Sequence, residues 1–264
     1  MPDAIVGRGV VVSRGSSVAV GASDFTVPSG CITAIIGPNG SGKSTLLHAI
    51  AGLLPVSAGE LSVLGTSPDE GQRGVSYVLQ YTTVPVGTPL TVAETVMMGR
   101  YPRLRLLGRP TREDRSIVAD AMARLEIADL ARRHLTELSG GQRQRVYVAQ
   151  GIAQEHQMLL LDEPLTGLDL VSARTIDGII HEEPARGCTV VLTTHDLAEA
   201  RAADHVILMG GRVIAAGPPH EALTRDNLVS AYGLGALHDT DLEVPDFPTE
   251  HHDHTHEHGG ERGF

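Results

Sequence analysis

The sequence predicts an α/β fold with a mainly parallel core sheet, an N-terminal antiparallel β-subdomain and a helical subdomain. Three observations carry this. Short apolar, β-branched runs (Cys31–Ile36, Met158–Leu161, Cys188–Thr193) alternate with helical stretches, the pattern of a sheet covered on both faces. Two Val-rich runs, residues 4–13 and 17–27, are split by Arg14-Gly15-Ser16, which reads as a hairpin. From about Thr91 to Ala153 the composition turns to Ala, Leu, Val and Met interspersed with Asp and Arg, favouring helix.

Taken in order, Pro28-Ser29-Gly30 turns the chain into the run ending at Ile36. A Gly-rich loop follows, then a helix over 44–51 stopped by Gly52. The run ending at Leu161 leads to a helix over 170–182, closed by Pro184 and Gly187. Residues 206–209 and 212–216 form a last hairpin through Gly210-Gly211, and 218–232 adds a helical piece. We expect one domain over 1–235, its helical subdomain at about 88–153, and a disordered, acidic, His-rich tail over 236–264.

The 264 residues allow one such domain and no membrane domain beside it, and no stretch approaches about 18 consecutive apolar residues. The start of the chain lacks the unbroken apolar stretch of a secretory signal, and Cys31 and Cys188 sit in β-like runs, so a reducing, cytosolic setting is expected. The net charge of −11 is mostly local: residues 236–264 hold eight acids against one base. No basic face of the kind that binds nucleic acid is expected.

Gly37-Pro-Asn-Gly-Ser-Gly-Lys43-Ser44 matches G-x-x-x-x-G-K-[ST] between a predicted strand and a predicted helix. Glycines there let backbone N–H groups curl round phosphate oxygens. Lys43 reaches the β and γ phosphates, and the Ser44 hydroxyl can ligate Mg²⁺. The motif alone leaves kinases, GTPases and other NTPases open. Asp162-Glu163 then ends a buried strand beside which the loop is expected to lie. Asp162 is placed to hold Mg²⁺ through water, and Glu163 to orient and deprotonate the water that attacks the γ phosphate. Leu138-Ser139-Gly140-Gly141-Gln142 opens another helix, with Ser139 as N-cap and free N–H groups behind it: a second anion site or a plain capped helix start.

With Gly167-Leu168-Asp169 and His195, these motifs stand in the order of ABC transporter ATP-binding subunits, which the chain resembles over roughly residues 1–232. The resemblance implies a P-loop NTPase cassette that binds ATP and Mg²⁺ and hydrolyses ATP. Nucleotide contacts fall to Gly37, Pro38, Asn39, Gly40, Ser41, Gly42, Lys43, Ser44 and Thr45, with Ser139, Gly140, Gly141, Gln142 and Asp169 meeting the ATP of a second copy. Ser44, Gln80 and Asp162 are the implied Mg²⁺ ligands, and Glu163, His195 and Gln80 the catalytic set. The implied partners are a second copy, an integral-membrane permease at the cytoplasmic face and an extracytoplasmic substrate-binding protein. One family feature is missing: residues 1–24 contain no aromatic to stack adenine. Arg14, near that position, either stacks through its guanidinium plane or is a solvated turn residue.

The stretch 88–112 is similar to the ATPases of zinc, manganese and iron importers. A siderophore or haem importer, an exporter and a soluble ABC ATPase remain alternatives. Arg100, Arg103, Arg105, Arg109 and Arg112 form a basic cluster that either meets permease loops and anionic lipid or is a solvated helical face. The tail holds six of the thirteen histidines, five of them in residues 251–258. They interleave with carboxylates in a pattern suited to Zn²⁺ or to no ligand at all.

Overall fold

The computed structural model describes residues 3–68, 74–79, 89–104 and 108–233. Along the chain run β1 (Asp3–Arg14), β2 (Ser17–Pro28), β3 (Ile32–Ile36), α1 (Lys43–Ile50), β4 (Ala58–Val63) and β5 (Val75–Val78). Three helices follow: α2 (Val92–Met98), α3 (Arg112–Arg124) and α4 (Gly140–Ile152). The remainder is β6 (Met158–Asp162), α5 (Leu170–Glu182), β7 (Thr189–Thr194), α6 (Leu197–Ala202), β8 (His205–Met209), β9 (Val213–Gly217), α7 (Pro219–Ala222) and α8 (Arg225–Tyr232).

The core sheet has strand order β5-β6-β7-β3-β8-β9, parallel except for the β8/β9 hairpin. Its central strands β3, β6, β7 and β8 are buried at every residue, which is why they read as largely apolar runs with no polar alternation. The pleat divides their side chains between two cores. Leu159 and Leu161 pack with Val96, Val118 and Val146 of α2, α3 and α4. Leu160 packs on the opposite face with Leu46 and Leu47 of α1 and with Ile5 and Val12 of β1. Truncating such a leucine to alanine costs about 2–5 kcal/mol.

The second sheet is antiparallel, in the order β2-β1-β4. The hairpin read from the Val-rich runs is its β1/β2 pair. Strands β4 and β5 were not foreseen: β4 begins with three exposed residues including Gly59, and β5 is only four residues long, so neither shows a periodic apolar signal. The helical piece over 218–232 proves to be two helices: the first stops at Ala222 with Leu223 as its C-cap, and Thr224 caps the second by accepting from the Asn227 N–H.

Each of α2, α3 and α4 opens on a reciprocal capping box, Thr91/Glu94, Thr111/Asp114 and Ser139/Gln142. Arg100 corrects the reading of a basic surface cluster. It is buried, donates from Nε to Asp114 Oδ1 (2.9 Å) and from Nη1 to Glu155 Oε2 (2.7 Å) and the Ala153 carbonyl (2.8 Å), and so ties α2 to the ends of α3 and α4. Arg103 adds bonds to the carbonyls of Gln154 and Glu155. Arg109 and Arg112 are exposed, and Arg105 lies outside the described residues.

Candidate nucleotide site

The Gly-rich loop runs from the end of β3 to the start of α1, so the first turn of the helix faces the C-terminal edge of the sheet. Gly42 adopts φ 97°, and a Cβ there would meet the Ala19 carbonyl oxygen at 2.6 Å. A Cβ on Gly37 would collide with the Met209 carbonyl and the Ser41 hydroxyl. Lys43 bends back over the loop and donates from Nζ to the carbonyls of Gly37 (2.9 Å) and Pro38 (3.2 Å). Burial pulls its ammonium down from the ordinary lysine value, while the Glu163 and Asp162 carboxylates push it up. The buried Ser41 hydroxyl has no hydrogen-bond partner among the described residues. A loop with no room for a Cβ at Gly37 or Gly42, an orphaned hydroxyl and an adjacent ammonium fit a polyphosphate.

Asp162, the last residue of β6, accepts from Ser44 Oγ (3.0 Å) and Thr193 Oγ1 (2.5 Å) at Oδ1, and from the Tyr77 hydroxyl at a long 3.5 Å at Oδ2. The hydroxyl and carboxylate of Ser44 and Asp162 are the hard oxygen donors that suit Mg²⁺. The loop lies beside the end of this strand, as Ser44 shows, although β7 stands between β6 and β3 in the sheet and Thr193 of β7 bonds Asp162 from there. Burial and the Asp162 charge raise the Tyr77 phenol, which keeps it a donor.

Glu163 sits at φ 46°, a left-handed conformation that costs a non-glycine residue on the order of 1 kcal/mol or more. Its N–H donates to Thr193 Oγ1 (2.9 Å), and its Oε2 accepts from Thr166 Oγ1 (3.3 Å) and lies 3.7 Å from His195 Nδ1. The sharp turn thus aims the carboxylate away from the sheet and into a cleft of about 420 Å³. Gly37, Pro38, Asn39, His195 and Tyr232 complete its lining.

A second group forms where the N-termini of α4 and α5 meet. Ser139 and Gln142 cap one another, and Asp169 caps α5 by accepting from the Ser172 N–H and hydroxyl, both at 2.9 Å. Those two bonds hold the Asp169 carboxyl below its ordinary value. A Cβ on Gly141 would strike the Asp169 carboxylate and the Ser172 hydroxyl. Gln80 lies outside the described residues. Arg14 ends β1 and donates from Nη2 to His48 Nδ1 (2.8 Å), while the His48 ring meets Tyr77 edge to face at 5.5 Å.

Sequence reading missed Thr193, Thr166 and Tyr77. The one available signal was the pair of threonines closing the otherwise apolar run of β7.

The family model of the ABC transporter matches residues 20–166, over half of the chain. The chain belongs to the ABC transporter family. This cassette is therefore an ATP-binding and ATP-hydrolysing domain. It is 34% identical to the manganese transport system ATP-binding protein MntB of Listeria monocytogenes, over 86% of this chain and 95% of that protein. Identity to the zinc transport system ATP-binding protein TroB of Treponema pallidum is 39%, over 80% and 79% of the two chains. Among solved structures, the ADP conformation of MJ1267, an ATP-binding cassette of an ABC transporter, superposes with TM-score 0.74 at 25% identity, covering 88% of this chain and 98% of that one. No helix among the described residues is long and apolar enough to cross a membrane.

Proposed function

We propose that this cassette powers a transporter for a transition-metal ion, of the manganese, zinc or iron class, in the importing direction. The observation that carries the ATPase half is the grouping of Lys43, Ser44 and Asp162 at the Gly-rich loop beside a cleft lined by Glu163 and His195. The metal half rests on the relatives named above, and on a chelated iron transport protein, YfeB of Yersinia pestis, 37% identical over 88% of this chain.

In this reading residues 37–45 wrap the ATP phosphates with backbone N–H groups, and Lys43 leaves the loop carbonyls to meet the β and γ phosphates. Mg²⁺, held by Ser44, Asp162 and Gln80, would neutralise phosphate charge when bound. Glu163 orients the attacking water and takes its proton. His195, within reach of Glu163, senses the γ phosphate. Residues 139–142 and Asp169 complete the ATP site of a second copy, so a pair of chains is the working unit. Cassette residues 1–235, with their helical subdomain at about 88–153, dock on a membrane permease at the cytoplasmic face, and an extracytoplasmic binding protein delivers the ion. The tail from 236 lies outside the described residues.

Reconstitution with the permease tests this. ATP-dependent accumulation of Mn²⁺ or Zn²⁺ supports it, and accumulation of a siderophore or haem but not of the free ions overturns the metal-ion assignment.

A further inference from the structure

At the end of β6 remote from the nucleotide cleft, His156 precedes the strand, Cys188 precedes β7, and Glu183 closes α5. A tight turn draws the last two together: Gly187 adopts φ 85°, and the Cys188 N–H donates to the Glu183 carbonyl at 3.1 Å. The Cys188 thiol reaches the His156 carbonyl at 3.2 Å. One ligand atom from each of His156, Glu183 and Cys188 lies within 4.8 Å of the other two. His156 is 8% exposed, and neither ring nitrogen makes a hydrogen bond of good geometry among the described residues, although Nε2 is 3.2 Å from Glu183 Oε2. All three residues line a cleft of about 480 Å³ bordered by Asp120 and Arg124.

We propose that His156, Glu183 and Cys188 bind a borderline divalent transition-metal ion such as Zn²⁺. An imidazole, a carboxylate and a thiolate are the donor types such ions take. Three protein ligands at about 2.0–2.3 Å leave a fourth, open position for water from the cleft. Ligands of a tetrahedral ion at those distances lie about 3.3–3.8 Å apart, so closure needs side-chain shifts of about 1 Å. With the Cys188 proton released on binding, thiolate and carboxylate neutralise a divalent ion, and Arg124 beside Glu183 remains as one positive charge. Arg124 occupies only Glu183 Oε1, at 2.6 Å, and keeps Glu182 as a second partner at 3.2 Å. The competing arrangement is a closed ion pair of protonated His156 with Glu183, which takes no metal.

Titration of the full-length protein with Co²⁺ in excess Mg²⁺ decides between the two. Thiolate–Co²⁺ charge transfer absorbs in the near ultraviolet, and the tail has no cysteine to produce it, Cys31 and Cys188 being the only two in the chain. The expected result is a band that saturates, is bleached by Zn²⁺, survives Cys31→Ser and is lost in Cys188→Ser. His156→Asn should weaken Co²⁺ binding by about tenfold or more, as perturbing a metal's ligand sphere does. Absence of the band from the unsubstituted protein at millimolar Co²⁺ overturns the site without depending on how any variant folds, and its persistence in a Cys188→Ser chain with an unchanged thermal melt does so as well.

Discussion

Thr193 donates its hydroxyl proton to Asp162 Oδ1 at 2.5 Å, and its own Oγ1 accepts the backbone N–H of Glu163 at 2.9 Å. One side chain on β7 therefore sets both the carboxylate proposed for Mg²⁺ and the strained backbone from which Glu163 departs.

Thr193→Val keeps the shape of that side chain and removes both bonds. A hydrogen bond to a charged group contributes about 1.5–3 kcal/mol, so kcat for ATP should fall by about 10- to 100-fold. KM should change little, since the hydrogen bonds of the Thr193 side chain go to Asp162 and Glu163 and not to the P-loop. Steady-state kinetics with a thermal melt in parallel checks this; an unchanged kcat shows that Thr193 does not position the pair.

Gly141→Ala places a methyl group against Asp169 and Ser172. Overpacking of this kind costs about 1–3 kcal/mol, and it should splay the caps of α4 and α5 apart. Nucleotide binding to the isolated chain should survive while turnover, which needs the second copy, is lost. Fluorescent-nucleotide titration beside an ATPase assay separates the two; retained turnover would show that the close contact is dispensable.

The parts legible in the sequence were those whose chemistry is contiguous. Residues 37–45, the pair Asp162-Glu163 and the Ser139 cap each carry their meaning within a few positions, and the apolar runs of β3, β6 and β7 follow from burial on both faces. Thr193 was hidden because its partner is set by strand order: only with β7 between β6 and β3 does it reach Asp162. Arg100 was misread for a related reason. It stands among other arginines in sequence, yet its partners Asp114 and Glu155 come from α3 and from the turn that follows α4. His156, Glu183 and Cys188 meet only because β6 and β7 start side by side.

The Arg100 cluster makes stability acid-sensitive. Bonds from the Thr111 backbone and hydroxyl, then Arg100, hold the Asp114 carboxyl at about 2, below its ordinary 3.8. A carboxyl whose folded value is depressed stabilises the fold fully above its unfolded value and loses that contribution as pH falls through the folded one. Between about pH 4 and pH 2 the native chain should lose stability more steeply than Asp114→Asn. Arg100→Ala, which leaves Asp114 with only its Thr111 bonds, should destabilise the fold at neutral pH. Urea unfolding across that range reports both; parallel curves for Asp114→Asn and the native chain exclude the linkage.

Base discrimination should be weak. Where an aromatic would stack adenine, Arg14 is drawn to His48, and burial together with the Arg14 charge lowers that imidazole, favouring the neutral acceptor. ATP and GTP should support comparable hydrolysis, because the stacking lost elsewhere contributes about 1–3 kcal/mol per base. A strong ATP preference that Arg14→Ala leaves unchanged shows that another residue reads adenine.

The most direct test of the proposed chemistry is ATP turnover by Glu163→Gln, assayed with the permease present. Glutamine keeps the size of the side chain and the bond from Thr166 but cannot take a proton from water. The prediction is intact ATP binding, turnover slowed by about 10² or more, and an ATP-bound pair of chains that persists on size-exclusion chromatography. Near-normal turnover contradicts the assignment of Glu163 as the general base.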